Sequence, residues 1–203
     1  GEDGTGGRFD QIEYFTVQSG GTAIDFGDLS AQRGMMGSAS SSTRGIFSGG
    51  EESPGNVNTI EFIEIMTIGN AVDFGDISAA KKDPHNGLVN SPTRGVFAGG
   101  TPEPNNIIEM ITMASTGNAV KFGDLSQGRK GFAGFGNSVR GAFAAGEAHG
   151  SPGTVTTMDY ITITSEGNAI DFGDARSSRY VVNGGVSNST RGVWSGGATA
   201  LEL

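Results

Sequence analysis

One ten-residue phrase recurs four times along this chain, as SSTRGIFSGG ending at Gly50, SPTRGVFAGG at Gly100, NSVRGAFAAG at Gly146 and NSTRGVWSGG at Gly197. A second phrase keeps the same interval: Phe26-Gly27-Asp28, Phe74-Gly75-Asp76, Phe122-Gly123-Asp124 and Phe172-Gly173-Asp174. A third precedes each of those phenylalanines by fourteen positions, as Ile12-Glu13-Tyr14, Ile60-Glu61-Phe62, Ile108-Glu109-Met110 and Met158-Asp159-Tyr160. Three phrases in fixed order at a period of about 50 residues describe an array of one supersecondary unit. Such a unit cannot bury its apolar face alone, so neighbouring copies must stack.

The unit is not helical. Glycine supplies 36 of the 203 residues, more than twice the usual ~7%, and each glycine in a helix interior is less favourable than alanine by about 1 kcal/mol. The glycines recur with the period and punctuate short Val, Ile, Phe, Thr and Tyr runs, which is the pattern of strands and tight turns. The chain is therefore expected to be all-β.

The copy from Gly87 to Asp124 resolves into four strands. Gly87 to Asn90 is the first, a Ser-Pro-Thr turn follows, and Arg94 to Ala98 is the second, stopped by Gly99-Gly100. A polar loop leads to Ile107 through Met113, apolar at nearly every position and suited to a strand covered on both faces. The turn Ser115-Thr116-Gly117-Asn118 then feeds a fourth strand, Ala119 to Phe122. Four strands per period predict a four-bladed β-propeller forming one domain over residues 1–203, with blades over roughly 29–76, 77–124, 125–174 and 175–197 plus 1–28. The last blade is split: Asp10 to Val17 and Thr22 to Phe26 supply outer strands, and residues 180–197 supply inner ones, so that pairing them closes the ring and removes the free edges.

The glycine pair closing an apolar strand, the large apolar residue of the third strand and the arginine before the next inner strand (Arg33, Arg129, Arg179) resemble the kelch repeat. The likeness covers nearly the whole chain, with phenylalanine where that family has the fourth-strand tryptophan and Ala145-Gly146 in place of one glycine pair. The fuller phrase, TRGVFAGG followed by an I-E-x-I-T-I strand and TGNAVDFGDL, resembles repeat proteins of marine cyanobacterial phages. That resemblance implies a virion or extracellular, tail- or fibre-associated protein.

A formal charge of −9 with scattered cations leaves no basic footprint for nucleic acid. No apolar run approaches the roughly 18 residues of a membrane span, so no membrane insertion is expected. Without cysteine there are neither disulfides nor thiolate metal sites. No cofactor is expected; a cation in the central channel, on converging oxygens, is the one exception the ring would admit. No H-E-x-x-H, G-x-S-x-G or P-loop marks an enzyme.

If the repeats build the frame, specificity belongs where they differ, in loops on one face of the ring. One loop set is acidic, with Glu51, Glu52, Glu103, Glu147 and His149; the other is basic, with Lys81, Lys82, His85, Arg129 and the aromatic Tyr180. Carboxylates and amides accept hydroxyl hydrogen bonds and a tyrosine ring stacks on a pyranose, so these residues are the candidate ligand-binding face for a surface polysaccharide or a virion structural protein. The expected function is non-enzymatic recognition or a structural role, as a monomer or strand-swapped dimer; the alternative is a glycosidase or lyase using the loop carboxylates. The arginines of the first phrase (Arg44, Arg94, Arg140, Arg191) are expected to reach the aspartate of a neighbouring Phe-Gly-Asp.

Overall fold

The computed structural model describes residues 7–82, 89–102, 105–149, 153–180 and 185–199, and among these there is no helix. The fold is all-β. An N-terminal hairpin of β1 (Gln11–Tyr14) and β2 (Ile24–Asp28) leads into a first four-stranded sheet: β3 (Gly37–Ser40), β4 (Arg44–Ser48), β5 (Thr59–Glu64) and β6 (Val72–Asp76). The second sheet holds β7 (Val89–Asn90), β8 (Arg94–Ala98), β9 (Ile107–Thr112) and β10 (Val120–Asp124). After the short β11 (Arg129–Lys130), the third sheet is built from β12 (Ala133–Gly136), β13 (Arg140–Ala144), β15 (Thr157–Thr162) and β16 (Ile170–Asp174). The short β14 (Glu147–Ala148) pairs with β11, and a C-terminal hairpin of β17 (Gly185–Ser187) and β18 (Gly192–Trp194) follows. Each four-stranded sheet is an antiparallel meander.

The Phe-Gly-Asp phrase explains how the sheets stack. In every copy the outer pair carries one extra residue, because the third-strand acid faces the residue before the phenylalanine while the preceding residue faces the glycine; Glu61 opposes Asp73 and Ile60 opposes Gly75. This bulge frees the phenylalanine from the ladder. The strand continues through the bulge to the aspartate, so β10 runs beyond the Phe122 boundary expected from the sequence.

The next sheet then docks on the bulge. Gly117 N–H donates to the Phe74 carbonyl at 2.7 Å, Ala119 N–H to the Asp76 carbonyl at 2.8 Å, and Asp76 N–H to Asn118 Oδ1 at 3.0 Å. The same three bonds join the N-terminal hairpin to the first sheet through Gly69, Ala71 and Asn70, and the second sheet to the third through Gly167, Ala169 and Asn168. The glycine is dictated by this approach: a Cβ on Gly75 would lie 2.5 Å from the Gly117 carbonyl oxygen, and Gly75 itself sits at φ +143°. The phenylalanine fills the seam, with Phe26, Phe74 and Phe122 all buried. Burial of each contributes roughly 1.5–3 kcal/mol.

The apolar cores lie between sheets. Ile46, Ile60 and Phe74 of the first sheet pack with Phe97, Ile111 and Met113 of the second, and Val96, Ile108 and Phe122 of the second pack with Phe143, Ile161 and Ile163 of the third. Trp194 is half-buried and stacks on Phe135 with ring centroids 5.4 Å apart.

The phrase arginines do not meet the aspartates. Arg44 Nη1 donates to the Met113 carbonyl of the following sheet at 3.0 Å, and Arg94 Nη1 donates to the Ile163 carbonyl at 2.8 Å. Arg140 lies over the Tyr160 ring. The aspartates instead present their backbones to the next turn, so a guanidinium in this position is used for its reach to a carbonyl and for its planar face. Among the described residues, β1 pairs only with β2 and β18 only with β17, leaving one edge of each hairpin without a strand partner.

Candidate functional site

Two of the residues expected on the binding face are internal. Lys81 is 1% exposed and its Nζ lies 2.6 Å from Glu109 Oε2; Arg129 is 0% exposed and its Nη1 lies 3.0 Å from Asp159 Oδ2. Arg33 forms the equivalent ion pair with Glu61. All three cations stand seven residues beyond the phenylalanine of Phe-Gly-Asp, and all three acids belong to the third strand of the following sheet. The acid also accepts a backbone N–H four residues after that phenylalanine, from Ser30, Ser78 or Ser126. The pairs therefore pin each connecting segment to the sheet it leads into. Lys81 and Arg129 leave the candidate site for this reason: the acid sits in an apolar strand covered on both faces, and burying it requires a buried partner.

Burial alone would raise the Glu109 carboxyl, but the Lys81 charge and hydrogen bond, together with donors from Ser78, hold it below the usual carboxylate range. A carboxyl lowered in the folded state contributes stability that is complete above its unfolded value of about 4.3 and lost as pH falls through the folded value. The urea midpoint of the protein is therefore expected to drop below about pH 4, and the Glu109→Gln variant should show a shallower drop over the same acid range.

The remaining described rim residues follow one another along the stack from repeat to repeat. Short bridges join the two loop sets: Gly34 pairs with Glu51, Lys82 with Thr101, Lys130 with Glu147, and Tyr180 with Ala198. Glu51 receives Lys82 Nζ at 3.1 Å and Arg8 Nη2 at 3.0 Å, so it bridges the N-terminal segment to the connection after the first sheet. Lys82's hydrogen bond, then its charge and that of Arg8, keep the Glu51 carboxyl below its ordinary range. Beside it opens a cleft of about 410 Å³ lined by Gly7, Arg8, Gln32, Glu52 and Ser53. Farther along, Lys130 approaches Glu147 at 3.5 Å, His149 is exposed, and Tyr180 is half-buried with both backbone groups bonded to Ala198.

The chain matches no known family profile and no curated protein.

The structure thus pairs Glu51 with Lys82 beside the cleft that Glu52 lines, and places Glu147, His149 and Tyr180 at equivalent or adjoining loops of later repeats. His85 and Glu103 lie outside the described residues. Arg8 is an addition from the structure, since it precedes the first recognisable phrase and nothing in the repeat points to it. Among the described residues no three histidine or acidic side chains gather to hold a metal ion, and no helix is long and apolar enough to cross a membrane.

Proposed function

We propose that this chain is a non-enzymatic recognition or structural module, a virion- or tail-associated propeller of kelch-like blades that engages a surface polysaccharide or a structural protein through its loop rim. In this reading the three four-stranded sheets are blades, and the two hairpins are the halves of a fourth. The observation that carries the recognition role is the cleft at Arg8, Gln32, Glu52 and Ser53, which offers guanidinium, amide, carboxylate and hydroxyl groups to hydroxyls within one polar concavity. Its edge is held rigid by the Arg8–Glu51–Lys82 ion pairs, and rigidity lowers the ordering cost of binding.

The electrostatics of Glu51 disfavour this one carboxyl as the acid of the hydrolase alternative. A glycosidase acid needs a carboxyl raised toward neutrality, whereas Lys82 and Arg8 lower this one.

The test is binding to a panel of purified cell-surface polysaccharides, with the Glu51→Ala/Glu52→Ala/Lys82→Ala variant alongside. Lys81 is left intact, because removing it would confuse unfolding with loss of binding. Saturable binding weakened at least tenfold in the variant is the expected result, equivalent to about 1.4 kcal/mol. Binding that survives the triple change would remove the rim from the reading, and release of reducing ends would replace it with catalysis.

A further inference from the structure

Three sets of contacts define every internal seam, and each seam has a donor side and an acceptor side. The donor side consists of the Phe-Gly-Asp bulge, the cation seven residues later and, between four-stranded sheets, the second-strand arginine. The acceptor side consists of the turn between third and fourth strands, the third-strand acid and the carbonyl that ends that strand.

Among the described residues, the third sheet presents a donor side with no turn docked on its bulge. Phe172 is 50% exposed where its counterparts Phe26, Phe74 and Phe122 are 2–4% exposed. A Cβ on Gly173 would meet nothing within 4 Å, where the same atom on Gly27, Gly75 or Gly123 would strike the next turn. Arg179 occupies the position of Arg33, Lys81 and Arg129, but among the described residues its side chain bonds to the Gly196 carbonyl and Ser177 Oγ and to no third-strand acid. The N-terminal hairpin carries the matching acceptor side: Glu13 stands where Glu61, Glu109 and Asp159 stand, and it is exposed, while Gly21-Thr22-Ala23 aligns with the docking turns. Phe15, Val17 and Ile24 of the same hairpin are more than half exposed, as is Val186 of the C-terminal hairpin.

Each hairpin is already mounted at its own end of the stack. The N-terminal one is fixed to the first sheet by the bonds that join interior sheets. The C-terminal one is fixed to the third by Gly136 N–H on Ser187 Oγ, Asn137 Nδ2 on the Ser189 carbonyl, and the Phe135–Trp194 stack. With both mounted, β1 keeps only β2 and β18 only β17 as strand partners among the described residues.

We propose that the C-terminal hairpin and third sheet of one copy receive the N-terminal hairpin of a second copy, completing the split blade between molecules. This rests on the split-blade reading above and adds the occupant. The interior sheets set its register: Arg44 opposes Glu64, Arg94 opposes Thr112 and Arg140 opposes Thr162, so Arg191 of one copy opposes Thr16 of the other, and Arg179 meets Glu13. The contact is head-to-tail, so it propagates into a ring or a filament.

The chain has no cysteine, which makes paired thiols a direct readout. Directly opposed residues of an antiparallel pair have Cα atoms about 4.5–5.5 Å apart, within disulfide range. Two single variants, Arg191→Cys and Thr16→Cys, are mixed under a mild copper oxidant and run on a non-reducing gel. The expected product is a covalent dimer at twice the chain mass, suppressed when Arg179→Glu is added to the first variant and restored when Glu13→Arg is then added to the second. A mixture of Thr16→Cys with Met66→Cys, a residue 86% exposed on the β5–β6 turn and not opposite Thr16 in the proposed register, should give none. If the mixture stays monomeric while the doubly substituted chain closes on itself, the inter-copy contact is overturned and the split blade stands. If neither forms the disulfide, both readings fail. Equal cross-linking in the Met66 control would also overturn the proposal.

Discussion

Glu109→Ala is expected to destabilise the protein by about 3–5 kcal/mol, because it leaves the ammonium of Lys81 buried without a counter-charge. Both side chains are 1% exposed, so water cannot take the place of the lost carboxylate. A loss of that size is a large share of the total for a domain whose stability lies around 5–15 kcal/mol. The double replacement Lys81→Met/Glu109→Leu should behave differently, since an apolar pair of similar volume removes the desolvation penalty along with the attraction and is expected to come within about 1–2 kcal/mol of the parent. Denaturant unfolding of Lys81→Met, Glu109→Leu and the double variant gives the coupling directly. If Glu109→Ala costs less than about 1 kcal/mol, the ion pair does not hold the connection to the second sheet.

The second large effect lies in the bulge. Gly75→Ala must place a Cβ 2.5 Å from the Gly117 carbonyl oxygen while adopting φ +143°, so backbone strain and overpacking act together. Each is worth roughly 1–3 kcal/mol, for a combined loss of about 2–6 kcal/mol. Gly173→Ala is the internal comparison. It sits at φ +119° in the same phrase but faces open space, so it should lose only the strain component in an isolated copy. Thermal unfolding of both variants in dilute solution separates the two causes: a Gly75 variant no worse than the Gly173 variant would mean that the seam yields to the extra methyl. In the head-to-tail assembly Gly173→Ala acquires the same clash, so it should also block the Arg191–Thr16 cross-link.

The strand Arg94–Ala98 was legible from sequence to the residue, because a Ser-Pro-Thr turn and a glycine pair bracket a short apolar run. The outer strand was read short, since Phe-Gly-Asp looks like the end of a strand and is in fact a bulge that the strand passes through. The sharper misreading concerned charge. The arginines of the TRG phrase and the aspartates of Phe-Gly-Asp are the opposite charges that recur most visibly, yet they are not partners. The informative acid was the one embedded in an apolar strand, Glu61, Glu109 or Asp159, whose surroundings oblige it to find a buried cation. Arg33, Lys81, Arg129 and Arg179 all stand seven residues beyond the phenylalanine of Phe-Gly-Asp, and that fixed offset is the signal that could have identified the buried cations. Lys81 and Arg129 resembled rim residues because the segments around them, SAAKKD and SQGRKG, carry the small and polar side chains of solvated loops. The cleft was partly legible through Glu52 and its neighbour Glu51, whereas Arg8 on its wall comes from a segment without a counterpart in the repeat.

Each seam is written half in one repeat and half in the next, with the same residues in the same order. A recombination that duplicated or deleted one complete period would therefore join a donor half to an acceptor half that already fits it, burying its acid on a waiting cation and its phenylalanine under a waiting turn. Arrays of this kind can change length in whole-repeat steps without inventing a new contact, while any fractional insertion would strand a buried charge.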